Sequence, residues 1–125
     1  MKLSFVDNNS LQSDVVLSKA VLSVAKRLGL NAANLSKIIG CSEATISRLK
    51  SGRGIDPDSK QGELAILVVR LYRSLNAILG GNDDQSRQWL KAYNHHLAGV
   101  PVKRIQTVVG LIEVVQYLDA MRGKI

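Results

Sequence analysis

Between Asn31 and Arg53 the chain reads NAANLSKIIGCSEATISRLKSGR, two short amphipathic segments meeting at Gly40-Cys41-Ser42. A junction of that length makes a tight turn between crossed helices. Leu35, Ile38 and Ile39 recur at helical spacing on the first segment, and Ile46 and Leu49 on the second. Gly40 suits the residue that ends the first helix, where a left-handed backbone is least costly for glycine. Ser42 follows as the cap of the second helix, its hydroxyl placed to accept from a free backbone N–H. Ser36 is small enough to sit between two closely packed helices. With the apolar positions turned inward, Ser42, Glu43, Ala44, Thr45, Ser47, Arg48 and Ser51 face outward. Small polar side chains around one arginine are what a helix in the DNA major groove needs, because base edges are read there by hydrogen bonds. Helix–Gly–Ser–helix hairpins also occur in all-α proteins that bind no DNA. The agreement of buried and exposed positions across both segments is what carries the DNA-binding reading.

Charge points the same way. The chain carries a net charge of +7; residues 1–53 hold eight Lys and Arg against three Asp and Glu, and residues 54–125 hold nine against seven. The positive excess therefore travels with the helical pair, as a phosphate-contacting surface requires. Lys26, Arg27, Lys37, Lys50 and Arg53 are expected on the DNA backbone, although each alone serves equally as solvated surface. Hydrophobic residues make up 46% of the 125 and aromatics 4%, which predicts an aliphatic core in one compact domain or two small ones sharing it. The one cysteine, Cys41, excludes an internal disulfide and fits a reducing compartment; in the turn it is expected as a small buried residue rather than a redox sensor. Met1-Lys2 is followed by polar residues, and the apolar stretch from Leu64 to Leu79 is interrupted by Arg70 and Arg73. A soluble, cytoplasmic protein without a membrane role is the expectation.

Elsewhere the pattern is helical almost throughout. Residues 1–13, rich in Asn and Ser, read as an irregular arm, after which Asp14 caps a helix to about Leu28 with Leu17, Val21, Val24, Ala25 and Leu28 inward. Gly29 ends that helix and Asn31 caps the next. Ser51 to Gly62 reads as a loop. A long helix from about Glu63 to Leu79 carries a stripe broad enough to pack against both halves of the protein, or to dimerise. Gly80-Gly81 ends it, and Asp83 or Asp84 caps a helix running through Trp89 to about Tyr93. Pro101 starts a short helix, and Thr107 caps the last one, which reaches about Met121 before Gly123. No strand of useful length is expected.

The helical pair resembles the Xre-type, or Cro/C1-like, repressors, whose recognition helix ends in a pattern similar to Ser47-Arg48-Leu49-Lys50-Ser51-Gly52-Arg53; Ser36 stands where alanine is commoner. The second half resembles the C-terminal domain shared by Xre, MbcA and ParS antitoxins. The residues that carry this are Trp89-Leu90, Asn94, the turn Leu97-Ala98-Gly99-Val100-Pro101, the opening Thr107-Val108-Val109-Gly110, then Val114 and Leu118. Together the two resemblances imply the antitoxin of a RES–Xre toxin–antitoxin pair: a protein that neutralises an NAD-depleting RES toxin and represses its own operon. The implied organisation is all-α, with an arm and helix-turn-helix over residues 1–62 and a helical toxin-binding domain over 63–125. Operator DNA would be met by Lys37, Ser42, Glu43, Ala44, Thr45, Ser47, Arg48, Lys50, Ser51 and Arg53. The toxin would be met by Trp89, Leu90, Tyr93, Asn94, Pro101, Arg122 and Lys124. A homodimer without cofactor is expected.

Read without the resemblance, Trp89, Leu90 and Tyr93 serve a core as readily as an interface. Gly110 inside a helix costs about 1 kcal/mol relative to alanine, which points to close helix packing or to a partner's approach. Adjacent His95 and His96 do not share one metal ion easily, and no ligating Cys or carboxylate lies near them in sequence. The basic end Arg122-Gly123-Lys124-Ile125 is either a frayed terminus or a reach into an acidic or anion-binding pocket. No phosphate-binding glycine loop and no nucleophile–base set is present, so a binding module is expected rather than an enzyme. Two other readings stay open: a plain repressor without a toxin partner, and a localisation adaptor that never touches DNA.

Overall fold

The computed structural model describes residues 2–124, with side chains from residue 12 to 124. Seven helices follow in order: α1 (Lys2–Leu28), α2 (Ala32–Ile39), α3 (Glu43–Lys50), α4 (Lys60–Ile78), α5 (Asp83–Lys91), α6 (Pro101–Arg104) and α7 (Val108–Gly123). Among the described residues the one β-type pairing is an isolated bridge between Asn94 and Gly99. The chain is all-α, a helix-turn-helix region followed by a helical C-terminal region. No single helix among the described residues is long and apolar enough to cross a membrane.

α1 differs from expectation at its start. The segment read as an irregular arm is helical from Lys2 onward, while Met1 lies outside the described residues. Residues 2–28 contain neither Gly nor Pro, and Asn or Ser costs a helix only about 0.5 kcal/mol each, so no breaker stops it. Asp14 is consequently no cap. Its carbonyl accepts from the Ile55 N–H at 3.0 Å, tying the segment after α3 to α1. The inward stripe Leu17, Val21, Val24, Ala25 and Leu28 is buried as its spacing predicts.

α2 and α3 form as the caps dictate. The Asn31 side chain accepts from Asn34 N–H at 2.8 Å, Gly40 takes φ 73°, and the Ser42 hydroxyl accepts from Thr45 N–H at 3.0 Å. Leu35, Ile38, Ile39, Ile46 and Leu49 are all buried, and Ser36 is buried with its hydroxyl donating to the Ala33 carbonyl.

α4 begins at Lys60, inside the stretch expected to be loop. Ser59 caps it, accepting from Gly62 N–H at 3.0 Å. Gly62 is not a breaker. A Cβ there would lie 2.0 Å from the Asp56 carbonyl oxygen, so glycine is what lets the loop cross the helix's first turn. Val68, Leu71, Ser74 and Leu75 are buried, and α4 packs on α7 and α1 and touches α2 and α5. It therefore joins both halves, as its broad stripe predicts. Asn82, not Asp83 or Asp84, caps α5, which frees both aspartates for the first turn, where negative charge meets the helix dipole favourably. α5 ends at Lys91, before Tyr93.

α6 starts on Pro101 and α7 on the Thr107 cap, whose hydroxyl accepts from Gly110 N–H at 3.0 Å. A Cβ on Gly110 would lie 1.9 Å from the Arg104 carbonyl oxygen. Close approach of the preceding backbone, rather than of a partner, explains this glycine. In an open helix Gly→Ala gains up to about 1 kcal/mol; Gly110→Ala is expected instead to lose about 2–4 kcal/mol, measured by urea unfolding. Gly123→Ala, which meets nothing within 4 Å at the frayed end of α7, is the control and should be neutral to slightly stabilising. Stabilisation by Gly110→Ala would show that this close approach does not exist.

Candidate functional site

α3 is held from behind and open in front. Ile46 and Leu49 anchor it in the core, while Ser42, Glu43, Ala44, Ser47, Arg48 and Lys50 are exposed and Thr45 is half-buried. The Thr45 and Ser42 hydroxyls lie 3.0 Å apart, so Thr45 is partly committed to the cap. Beyond the helix Arg53 N–H donates to the Arg48 carbonyl at 3.0 Å, and Ser18 on α1 donates to the Arg53 carbonyl at 2.8 Å. The exposed Ser51 and Arg53 are thereby fixed in place although they lie outside the helix. Lys37 is exposed at the end of α2. None of Lys37, Arg48, Lys50 and Arg53 is ion-paired among the described residues, so their charges are available to an anionic partner.

Arg27 does otherwise. Its guanidinium reaches Asp83 on α5 at 3.3 Å, and the same carboxylate accepts from the Tyr72 hydroxyl at 2.8 Å. Burial first, then the bond to Asp83, pushes the Tyr72 phenol above its usual range. Arg87 donates to the Arg27 carbonyl at 2.9 Å. Arg27 thus clasps the two halves together instead of extending the basic face. Cys41 is half-buried in the turn, where burial raises its thiol and the nearby Arg53 charge lowers it to a lesser degree. The net rise disfavours the thiolate, the opposite of an activated cysteine.

In the C-terminal half the expected contact residues separate into two groups. Leu90 is 1% exposed and Pro101 is buried; both are packing residues, because α5 and α6 turn these positions into the core. Asn94 shapes a turn: its side-chain oxygen accepts from Leu97 N–H at 3.0 Å while its backbone pairs with Gly99. Trp89 is half-buried and stacks on Tyr117 at 6.5 Å, and His96 stacks on Tyr117 at 5.7 Å. Tyr93 is 60% exposed, edge-on to His95 at 5.2 Å. His96 thus belongs to the Trp89–Tyr117 stack and His95 to a separate pair with Tyr93, and no group of three metal-ligating side chains forms among the described residues. Arg122 and Lys124 are exposed at the end of α7; Ile125 lies outside the described residues.

Two features escaped the sequence reading. Arg104 donates to the carbonyl of Ala98, a non-glycine residue at φ 52°, at 3.0 Å and reaches Glu113 at 3.5 Å, bracing the 94–99 turn against α7. The outer side of α7 is also apolar, with Val108, Val109 and Ile112 exposed. Glu113 and Gln116 are exposed further along that side, and the inner side is covered by α4.

Residues 8–70 match the antitoxin Xre-like helix-turn-helix domain, and residues 74–124 match the antitoxin Xre/MbcA/ParS C-terminal toxin-binding domain. No curated protein matches the chain. Among solved structures it is similar to a chain of the M. tuberculosis MbcT–MbcA toxin–antitoxin complex, with a TM-score of 0.66 at 22% identity, covering 88% of this chain and 96% of that one. At that identity the likeness is one of fold.

Proposed function

The chain belongs to the Xre-like antitoxin family, carrying a helix-turn-helix domain and a toxin-binding domain, and on that basis we propose that it neutralises a RES-type, NAD-depleting toxin while repressing its own operon as a homodimer. It is an antitoxin, not an enzyme. The observation that carries the proposal is the union, in one short chain, of an unpaired basic recognition surface on α3 with a toxin-binding domain whose last helix is apolar on its outer side. Residues 1–62 take the DNA role and residues 63–125 the toxin role, with α4 shared structurally.

On DNA, Arg48 and the small residues Ser42, Glu43, Ala44, Thr45, Ser47 and Ser51 read bases, and Lys37, Lys50 and Arg53 meet phosphates. Arg48→Ala is expected to cost about 1–3 kcal/mol and relax specificity at one base position. Lys50→Ala should weaken binding to all sequences alike and flatten its salt dependence. Operator titrations at several salt concentrations measure both; unchanged affinity in Arg48→Ala would remove α3 from the major groove.

One recognition helix of eight residues reaches few base pairs, so a dimer spanning half-sites about one helical turn apart is required. Of the α4 stripe, Val68, Leu71 and Leu75 are buried within the chain, which leaves its half-buried members such as Leu67 and Ile78 for an interface. Light scattering on the operator complex should give two chains per site; a monomer on its operator would refute the dimer.

Toward the toxin, Trp89 offers its stack with Tyr117, Tyr93 its exposed ring beside His95, and Asn94 the braced turn, while Arg122 and Lys124 project from the end of α7. Occlusion is the mechanism: the end of α7 lies across the NAD pocket, where mobile cations meet acidic or phosphate-binding groups. Deleting residues 122–125 should restore NAD consumption while sparing operator binding and most of the complex, since a terminus contributes little to the fold. Full inhibition by the truncated chain would end the tail mechanism and keep the antitoxin. No binding by either form to an active RES-type toxin would leave only a repressor.

A further inference from the structure

An open groove of about 1260 Å³ runs between α1, α4 and α7. It is larger than the pockets that usually hold small molecules, about 300–1,000 Å³, and is of a size for a polypeptide segment. Val16, Ile66 and Val69 give it apolar surface, with Val16 67% and Ile66 44% exposed. Arg70, Arg73 and Arg122 line it as well. The single acid among its described lining residues, Asp119, is already engaged: it accepts from Ser74 at 2.7 Å and is ion-paired with Arg70.

These features select an occupant. A second copy seated here about a two-fold axis would bring Arg70, Arg73 and Arg122 toward their own counterparts, and like charges at an interface are costly. An apolar segment flanked by Asp or Glu satisfies both the apolar surface and the arginines. The groove is also continuous with the surface assigned above to the toxin. It reaches Arg122 and Gly123 at the end of α7, the same end that is assigned above to the toxin.

Resting on the antitoxin reading above, we propose that the α1/α4/α7 groove docks an acid-flanked apolar segment of the toxin. Its walls come from both matched domains, since Gln12, Val16 and Pro57 belong to the helix-turn-helix match and Asp119 and Arg122 to the toxin-binding match. The toxin accordingly contacts the DNA-binding half as well as its own domain.

The test uses the full chain and a RES-domain toxin, the partner proposed above, with affinity measured by calorimetry at two salt concentrations. Ile66→Asp and Arg73→Glu change exposed side chains, and each should weaken toxin binding by about tenfold or more. Ile66→Val should retain it. Arg73→Gln should reduce the salt dependence, as removal of one charge from an ionic contact does. Operator affinity and the light-scattering mass of the free protein should not change. Equal toxin affinity in Ile66→Asp, Arg73→Glu and the unmodified chain would overturn the groove assignment and leave the antitoxin reading standing. Loss of self-association with toxin affinity intact would assign the groove to a second copy. Failure of the unmodified chain to bind would remove the antitoxin reading, and the groove assignment with it.

Discussion

Burial of α4 between α1 and α7 is the constraint on which the other contacts depend. Val68, Leu71 and Leu75 are each at most 1% exposed, and removing such side chains from water contributes about 1.5–3 kcal/mol apiece. Their surroundings come from both ends of the sequence, so neither the helix-turn-helix half nor the C-terminal half completes its core alone. α4 is for this reason less a linker than a shared wall. Polar contacts then fix how the wall is approached. Ser74 and Arg70 hold Asp119 of α7 on one side, and Tyr72 holds Asp83 together with Arg27 of α1 on the other. Exposed ion pairs add little stability singly; placed around a buried apolar seam they set rotation and register.

Orientation of the recognition helix follows from the same seam. α3 is short and would be marginal in isolation. It is positioned by Ile46 and Leu49 from below and by the loop beyond it, where the Arg53 and Asp14 carbonyls receive Ser18 and Ile55. Gly54 packs so closely on Asp14 that a Cβ would meet the Asp14 side chain at 2.5 Å. The loop is therefore pinned against α1, and Arg53 presents its charge from a fixed backbone.

Local signals were the legible ones. Asn31, Ser42 and Thr107 cap, Gly29 and Gly40 stop helices, and Pro101 starts one, because each acts through groups within a few residues of itself. The buried positions of α1, α2 and α3 were legible for the related reason that helical periodicity maps directly onto one face. What failed depended on distant partners. Gly62 looks like a loop residue until the Asp56 carbonyl is placed against it. Asp83 looks like a cap until Tyr72 and Arg27 occupy it. Leu90 belongs to a motif associated with toxin binding, yet lies 1% exposed in the core; the motif marks residues that build the domain as well as those that touch a partner. The arm looks irregular from its Asn and Ser, yet without Gly or Pro those residues do not break a helix.

A surface shared by several helices leaves no periodic trace in any one of them, which is why neither the groove nor its charge was visible in the sequence. Its arginines lie on α4 and α7, one of them 49 positions away from the carboxylate it binds. α1 stands behind both surfaces, meeting the recognition loop through Asp14 and Ser18 and the groove through Val16 and Leu17. The backbone that fixes Arg53 and one wall of the groove are therefore the same short stretch of helix, and no local pattern in the sequence announces that double use.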